Sequence, residues 1–423
     1  MSEKNVLVIT PFIWEGGPWR GKRTVYAILE GFQRAGYEVH VVTGANRPGL
    51  SDQVWEGLHI HYFRPALAPG GGAFDAFHSY LTQVAQGRSP WRRHLSFRLY
   101  WLSFVWGAAR RAEGVARAHP PRFLYGINNP GIPPAWRVAR KLGMPFFARI
   151  MGSAIPQWAA SRLKLYLARF DELLAFKLPA EAIILTDDGQ ASAEDIARKL
   201  GVPEERIWMF RSGIDKAVFQ RPMDSRAARE KLGLPADARI ILWVSQLVAW
   251  KHPERLLEAM PRVLERAPEA LALFLGDGPM RADLEARARA LGIDHAVRFD
   301  GFVARDKLPA YFHAADLFTA FYDYANISNS LLEAMLSGLP VVALDTGHTA
   351  DMVHHGENGL LIPPDRPEAI PDALLALLTD EALRRRLGER AARAADAMLL
   401  TWEERIDREI ARIEGVLQAR EST

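Results

Sequence analysis

The stretch 321–364, FYDYANISNSLLEAMLSGLPVVALDTGHTADMVHHGENGLLIPP, runs a polar Asn/Ser loop into a helix that bears a single acid, Glu333. Ser328 and Ser330 are suited to cap that helix, and the exposed N–H groups at its start would attract a phosphate. A carboxylate about one turn inside the helix can accept two hydrogen bonds from the vicinal hydroxyls of a ribose. An acid that interrupts the apolar face of LLEAM is unusual in a helix that only packs, so Glu333 reads as a binding residue.

Three other stretches have matching chemistry, each with a plainer reading beside it. In TPFIWEGGPWRGKRTVY, Gly16 and Gly17 let backbone N–H groups approach an anion ahead of a helix start, although two glycines also make an ordinary tight turn. In VSQLVAWKH, Lys251 follows a strand end, where open α/β sheets bind ligands, and could neutralise a diphosphate; by itself it would pass for a solvated lysine. In LFLGDG, Gly276, Asp277 and Gly278 leave a gap at a sheet edge that a flat base or ribose would fill, and turn chemistry explains the glycines equally. No Asp-x-Asp pair stands beside a phosphate loop, so no catalytic Mg²⁺ or Mn²⁺ and no other cofactor is expected.

These residues need elements to position them. Strand-like runs at 5–10, 38–43, 58–63, 123–127, 145–150, 182–186 and 206–210, and at 239–245, 271–275, 297–299, 317–320, 341–344 and 360–362, include several that are continuously apolar, as parallel strands covered on both faces are. Helical patterns between them, such as 23–35 and 254–266, supply the crossovers of doubly wound α/β domains. A length of 423 residues exceeds one ordinary core. The segment RSGIDKAVFQRPMD at 211–224 breaks both periodicities and predicts a division into 1–212 and 213–400, with a helix at 401–419 packing back on the first domain.

Composition narrows the class. With no cysteine there is no disulfide framework, thiolate metal site or cysteine nucleophile, and a reducing, cytoplasmic setting fits. No signal-peptide pattern opens the chain, and no apolar run is long enough to span a bilayer. The net charge of +3 divides unevenly, +9 over 1–215 and −6 over the rest, so the first half would attract an anionic partner. The flexible stretch ALAPGGGA at 66–73 precedes an aromatic, Arg-rich helix. From Arg88 to Arg117 that region holds seven arginines and one acid, with Trp91, Phe97, Tyr100, Trp101, Phe104 and Trp106. It suits peripheral contact with the inner face of a membrane through 88–117, unless its aromatics pack into the core. No nucleic-acid-binding module is recognised.

Taken in order, the four motifs resemble the retaining glycosyltransferases of the GT-B fold, specifically family four, most closely over 207–377. The resemblance implies two Rossmann-like domains facing each other across a cleft and a sugar nucleotide held mainly by the second. It implies a glycan, lipid-linked or small-molecule acceptor. Gly16 and Gly17 match the family's glycine loop, Lys251 one member of its diphosphate-binding basic pair, and Glu333 the ribose-binding end of its Glu-x7-Glu motif. GDGP at 276–279 and GFV at 301–303, with Phe302 and Val303, resemble the walls of the base pocket.

The chain departs from the pattern at several positions. Gln246 stands where arginine is usual, and Ala325 replaces the first glutamate, leaving Asp323 as the nearest carboxylate. Asn128, in GINNPG, falls at the catalytic-region histidine, and Met151 near a second histidine. Asn326, Ser328 and Asn329 still offer donors and acceptors where sugar and phosphate would lie. Lys251, Asn128 and Asp323 are therefore the candidates for the transfer chemistry. A non-catalytic sugar-nucleotide or polysaccharide binder and, less well, a sugar-nucleotide epimerase are the alternatives.

Overall fold

A computed structural model describes residues 4–11, 23–45, 49–65, 91–151, 169–187, 193–322 and 328–422, the side chains at 23, 24, 91–97 and 187 excepted. The candidates Gly16, Gly17, Asp323 and Asn326 lie outside these residues, as do Ala325 and the loop at 66–73. The described residues form two units. One holds the chain through Asp187, resumes up to Gly213 and takes back the C-terminal segment from Trp402; the other holds Ile214–Thr401.

The first unit is built on β1 (Asn5–Ile9), β2 (Glu38–Gly44), β3 (Gln53–Trp55), β4 (Leu58–Phe63), β5 (Phe123–Ile127), β6 (Phe146–Ile150), β7 (Ala182–Asp187) and β8 (Ile207–Arg211). Their order in the sheet is β3-β4-β2-β1-β5-β6-β7-β8, all parallel except the β3–β4 pair. β1, NVLVI, is buried at every position, as a strand covered on both faces must be. β3 has no counterpart among the predicted strands, because three residues of which two are exposed make no apolar run.

Helices α1 (Arg23–Arg34), α2 (Trp91–Ala118) and α3 (Asn128–Leu142) belong to this unit. Within α2, Trp101 and Phe104 are buried in the core, whereas Leu99, Leu102 and Trp106 are 44, 55 and 56% exposed. The aromatic helix thus divides its side chains between core and surface.

The second unit has β9 (Arg239–Val244), β10 (Ala270–Leu275), β11 (Val297–Gly301), β12 (Leu317–Ala320), β13 (Val341–Leu344) and β14 (Gly359–Ile362), in the all-parallel order β11-β10-β9-β12-β13-β14. Helix α4 (Glu254–Leu264) buries Leu256, Leu257, Met260 and Val263, one stripe at helical spacing, against this sheet's core. Helix α5 (Asn329–Leu336) follows β12.

The last helix, α6 (Trp402–Glu421), returns to the first unit, where Ile406, Ile410, Ile413 and Leu417 join the core that contains α1. Glu409 on α6 is fully buried beside Arg149 of β6. Its Oε2 accepts from Arg149 Nη1 at 2.5 Å and lies 2.6 Å from Arg405 Nη1, while the Tyr125 hydroxyl donates to its other oxygen. Arg149 also donates to Thr186 Oγ1 at 3.0 Å, so one carboxylate ties α6 to β5, β6 and β7.

No helix of the described residues is long and apolar enough to cross a membrane.

Candidate functional site

In the second unit the chain lays down β9, adds β10 and β11 on one side, then crosses to place β12, β13 and β14 on the other. Order therefore reverses between β9 and β12. In open α/β sheets the crevice at the carboxyl ends of two such strands binds ligands, because the flanking connections leave in opposite directions. β9 runs into the turn Ala249–Lys251, and β12 into Phe321, Tyr322 and then α5. Lys251 and Glu333 thus flank the switch point.

Lys251 is only 7% exposed. Its Nζ lies 3.9 Å from the centre of the Tyr322 ring and 4.2 Å from that of Trp250. The faces of aromatic rings attract a cation but do not neutralise it. Among the described residues no carboxylate comes within ion-pair distance, and burial pulls the ammonium from its ordinary 10.5 down to about 8. At neutral pH the group is a buried cation without a counter-charge among these residues. An anion placed there would regain what burial costs.

Tyr322 joins this lysine to α5. Its hydroxyl titrates above the usual phenol range because it is buried, with the nearby hydroxyls of Ser245, Ser328 and Ser330 acting in the opposite direction, and it makes no aligned hydrogen bond among the described residues. Ser328 caps the helix by accepting the Leu331 N–H at 3.2 Å, and its hydroxyl is 3.1 Å from that of Ser330. The positive end of the helix dipole adds to the field of Lys251.

Glu333, one turn further on, is 3% exposed. Burial lifts its carboxyl to about 7; Arg305 opposes the rise and Asp215 adds to it. Arg305 Nη2 stands 3.1 Å from Glu333 Oε1 and 3.4 Å from Asp215 Oδ2, yet Oε1 has no aligned hydrogen bond among the described residues. A buried carboxyl with an unused acceptor suits a ligand's hydroxyl groups.

The glycines after β10 form the neighbouring wall. Gly276 has φ +126°, and a Cβ there would stand 1.9 Å from the Ser245 carbonyl oxygen; at Gly278 it would stand 2.3 Å from that of Leu247. Only glycine fits this approach. The loops are tied together by Leu247 N–H to the Asp277 carbonyl at 3.0 Å and Gly276 N–H to that of Gly301 at 2.7 Å. The exposed Asp277 carboxylate accepts the Gly278 N–H at 2.8 Å, holding its own turn. Phe302, at the end of β11, is 85% exposed, Val303 is half-buried, and Gln246 is exposed on the β9 loop.

The structure accordingly groups Lys251, Ser328 and Ser330 around Tyr322, with Glu333 further along α5 beside Arg305, exposed Asn329 at the first turn of α5, and Gly276 and Gly278 against the β9 loop. Asn128 belongs to the first unit, where it follows β5 in the left-handed region at φ +57°. Its Oδ1 accepts the Met151 N–H at 3.0 Å, so this oxygen binds the end of β5 to that of β6. Tyr322, Arg305 and Asp215 were missed by the sequence reading. Tyr322 has a usable signal, a polar aromatic directly after a buried strand, whereas Arg305 and Asp215 meet Glu333 only through the fold.

The family model of glycosyl transferases group 1 matches residues 224–394. Over 261 residues the chain is 29% identical to alpha-D-kanosaminyltransferase of Streptomyces kanamyceticus, covering 60% of this chain and 67% of that protein. It spans about half the length of several further curated relatives that it matches. Sucrose-phosphate synthase from Thermosynechococcus elongatus superposes with a TM-score of 0.72 at 20% identity, over 99% of this chain and 100% of that one. HepE of Anabaena, solved in complex with UDP and glucose, gives 0.66 at 18% identity, over 97% and 99%. These likenesses establish two Rossmann-like α/β domains of the GT-B type, and over residues 224–394 the chain is similar to the group 1 glycosyl transferases.

Proposed function

We propose that the protein is a retaining, metal-independent glycosyltransferase that moves a sugar from a nucleoside-diphosphate donor to a glycan, lipid-linked or small-molecule acceptor. The observation that carries this reading is Lys251, a buried ammonium with no carboxylate partner among the described residues, beside the capped start of α5. HepE, which shares the fold, was solved with UDP and glucose, the ligand class assigned here.

In this reading Lys251 and the start of α5 hold the diphosphate, and Glu333 takes the ribose hydroxyls. Gly276, Gly278, Phe302 and Val303 border the base, while Gly16, Gly17, Asn326 and Asn329 reach the phosphates or the sugar. As the bond from the anomeric carbon to the phosphate oxygen breaks, negative charge grows on the leaving diphosphate. Fixed donors aimed at that charge, in a site closed to water, contribute on the order of several kcal/mol. The acceptor hydroxyl attacks from the face the diphosphate leaves, and a phosphate oxygen takes its proton. The charge is balanced without a protein nucleophile or a divalent ion.

A panel of nucleoside-diphosphate sugars tests the reading. Product should keep the donor's anomeric configuration by NMR, and turnover after chelation should change less than about twofold when Mg²⁺ or Mn²⁺ is added. Donor binding without product or hydrolysis would favour the non-catalytic binder. Wild-type donor affinity in both Lys251→Ala and Glu333→Ala would remove the site.

The exposed Leu99, Leu102 and Trp106 of α2, beside Arg98 and Arg110, support peripheral membrane contact at the inner face. Co-sedimentation with anionic vesicles should fall in Leu102→Ser/Trp106→Ser, and unchanged sedimentation would remove this part of the proposal.

A further inference from the structure

β2 and β4 pair in parallel, with His40 opposite His59 and Val42 opposite His61. Strand residues alternate between faces, so Glu38, His40, His59 and His61 all lie on the face that also carries Val42 and is covered by α2. His119, just past the end of α2, brings its ring centre to 4.3 Å from that of His40. None of these residues enters the proposed transfer chemistry, and all belong to the first unit, whereas Lys251 and Glu333 belong to the second.

The hydrogen bonds assign the protons. The Asp52 carboxylate, paired with Arg111 and accepting the Tyr62 N–H, receives a hydrogen bond from His61 Nδ1 at 2.9 Å. A neutral His61 then accepts at Nε2 from His40 Nδ1, 3.0 Å away. This leaves His40 Nε2 with a lone pair and no proton. His40 is 1% exposed, its Nε2 makes no hydrogen bond among the described residues, and Glu38 Oε1 faces it at 3.2 Å. His59 Nε2 is also 3.2 Å from that same oxygen. A lone pair on the buried His40 ring, held this close to a carboxylate, repels it unless a cation sits between them.

We propose that Glu38, His40 and His59 form a binding site for a divalent transition-metal ion of the zinc class, with Asp52 and His61 fixing the tautomer of His40. The three donor atoms lie within 4.8 Å of one another. Two donors bound about 2.1 Å from a tetrahedral ion stand roughly 3.4 Å apart, close to the two 3.2 Å separations. Two imidazoles and a carboxylate suit zinc better than magnesium or calcium, which prefer all-oxygen shells. With its proton on Nδ1 toward His61, His40 presents an unprotonated Nε2, the form that binds metal. Glu38 and His59 are one-third exposed, which gives an ion a route in and solvent for its remaining position. The site lies near the amino-terminal ends of β2 and β4, away from the carboxyl ends where α/β sheets bind substrates. Its role is to clamp the two strands.

The test uses the untagged full chain, stripped with a chelator, dialysed and titrated with ZnCl₂ by calorimetry, with thermal unfolding in parallel. One zinc per chain and a rise in Tm on zinc addition are expected. Both should be lost in Glu38→Gln/His59→Ala, and Asp52→Asn should lower zinc affinity by roughly 10–100-fold without unfolding the chain. Co²⁺ should give the visible absorption of a tetrahedral site in the wild type and none in the double variant. Should the double variant fail to fold, His59→Ala alone makes the same comparison at a partly exposed position. Absence of zinc binding would show that a proton on His40 satisfies the cluster, and undiminished binding by the variants would place the zinc elsewhere; either result overturns the proposal. Neither readout uses the sugar donor, so failure here leaves the transferase reading standing, and the reverse holds.

Discussion

Two of the places where the molecule buries charge treat it in opposite ways. In the first unit Glu409 is surrounded by Arg149, Arg405 and Tyr125. Burial alone would raise its carboxyl, but the two guanidinium groups outweigh that and hold it below the ordinary range. In the second unit Lys251 and Glu333 are buried about as deeply, yet one falls to about 8 and the other rises to about 7. A compensated buried charge holds elements together. Lys251, with no carboxylate partner among the described residues, and Glu333, with only the partly exposed Arg305 beside it, cost stability until a ligand arrives, and that is the mark of a binding site.

The largest expected effect is at the compensated cluster. Glu409→Ala leaves two arginines facing each other in the core and should cost about 3–5 kcal/mol in urea unfolding. A loss under about 1 kcal/mol would break the comparison from its structural side. Next, Lys251→Met should weaken nucleotide-sugar binding roughly 100-fold, while the unliganded protein unfolds no more easily than wild type. Gly276→Ala adds a methyl group where the neighbouring carbonyl oxygen already sits, at a φ that alanine resists, and should cost about 1–3 kcal/mol.

The smallest effect is on pH dependence. Glu333 binds its proton more tightly folded than unfolded, so the unliganded protein loses stability as pH rises from 4.5 to about 7. Lys251 binds its proton more weakly when folded, so stability returns between about 8 and 10.5. Donor affinity should therefore be highest between about 7 and 8, falling below as Glu333 is protonated and above as Lys251 loses its charge. Glu333→Gln should flatten the acid limb and Lys251→Arg the alkaline one. Unchanged limbs would assign the titrations to other groups.

Much of the fold was legible because parallel strands covered on both faces are written as apolar runs; β9, RIILWV, and β10, ALALFL, need no context. β3 was not, since an edge strand of three residues, two of them exposed, leaves no pattern. At the candidate site, Glu333 stood out as an acid inside an apolar helix. Lys251 did not, because the sequence gives no sign that Trp250 and Tyr322 enclose it. The facing histidines of β2 and β4 went unread for a similar reason: register between strands, not spacing along the chain, brings His40 to His59.

The most direct test of the central claim is calorimetric titration of wild type and Lys251→Met with UDP-glucose and its GDP, ADP and TDP counterparts, alongside urea unfolding of both proteins without ligand. The account predicts that at least one donor binds the wild type, that Lys251→Met weakens it roughly 100-fold, and that the variant is as stable as the wild type or more so. Equal donor affinity in the two proteins, or a variant that is markedly less stable, would contradict it, because Lys251 would then be a structural charge like Arg149.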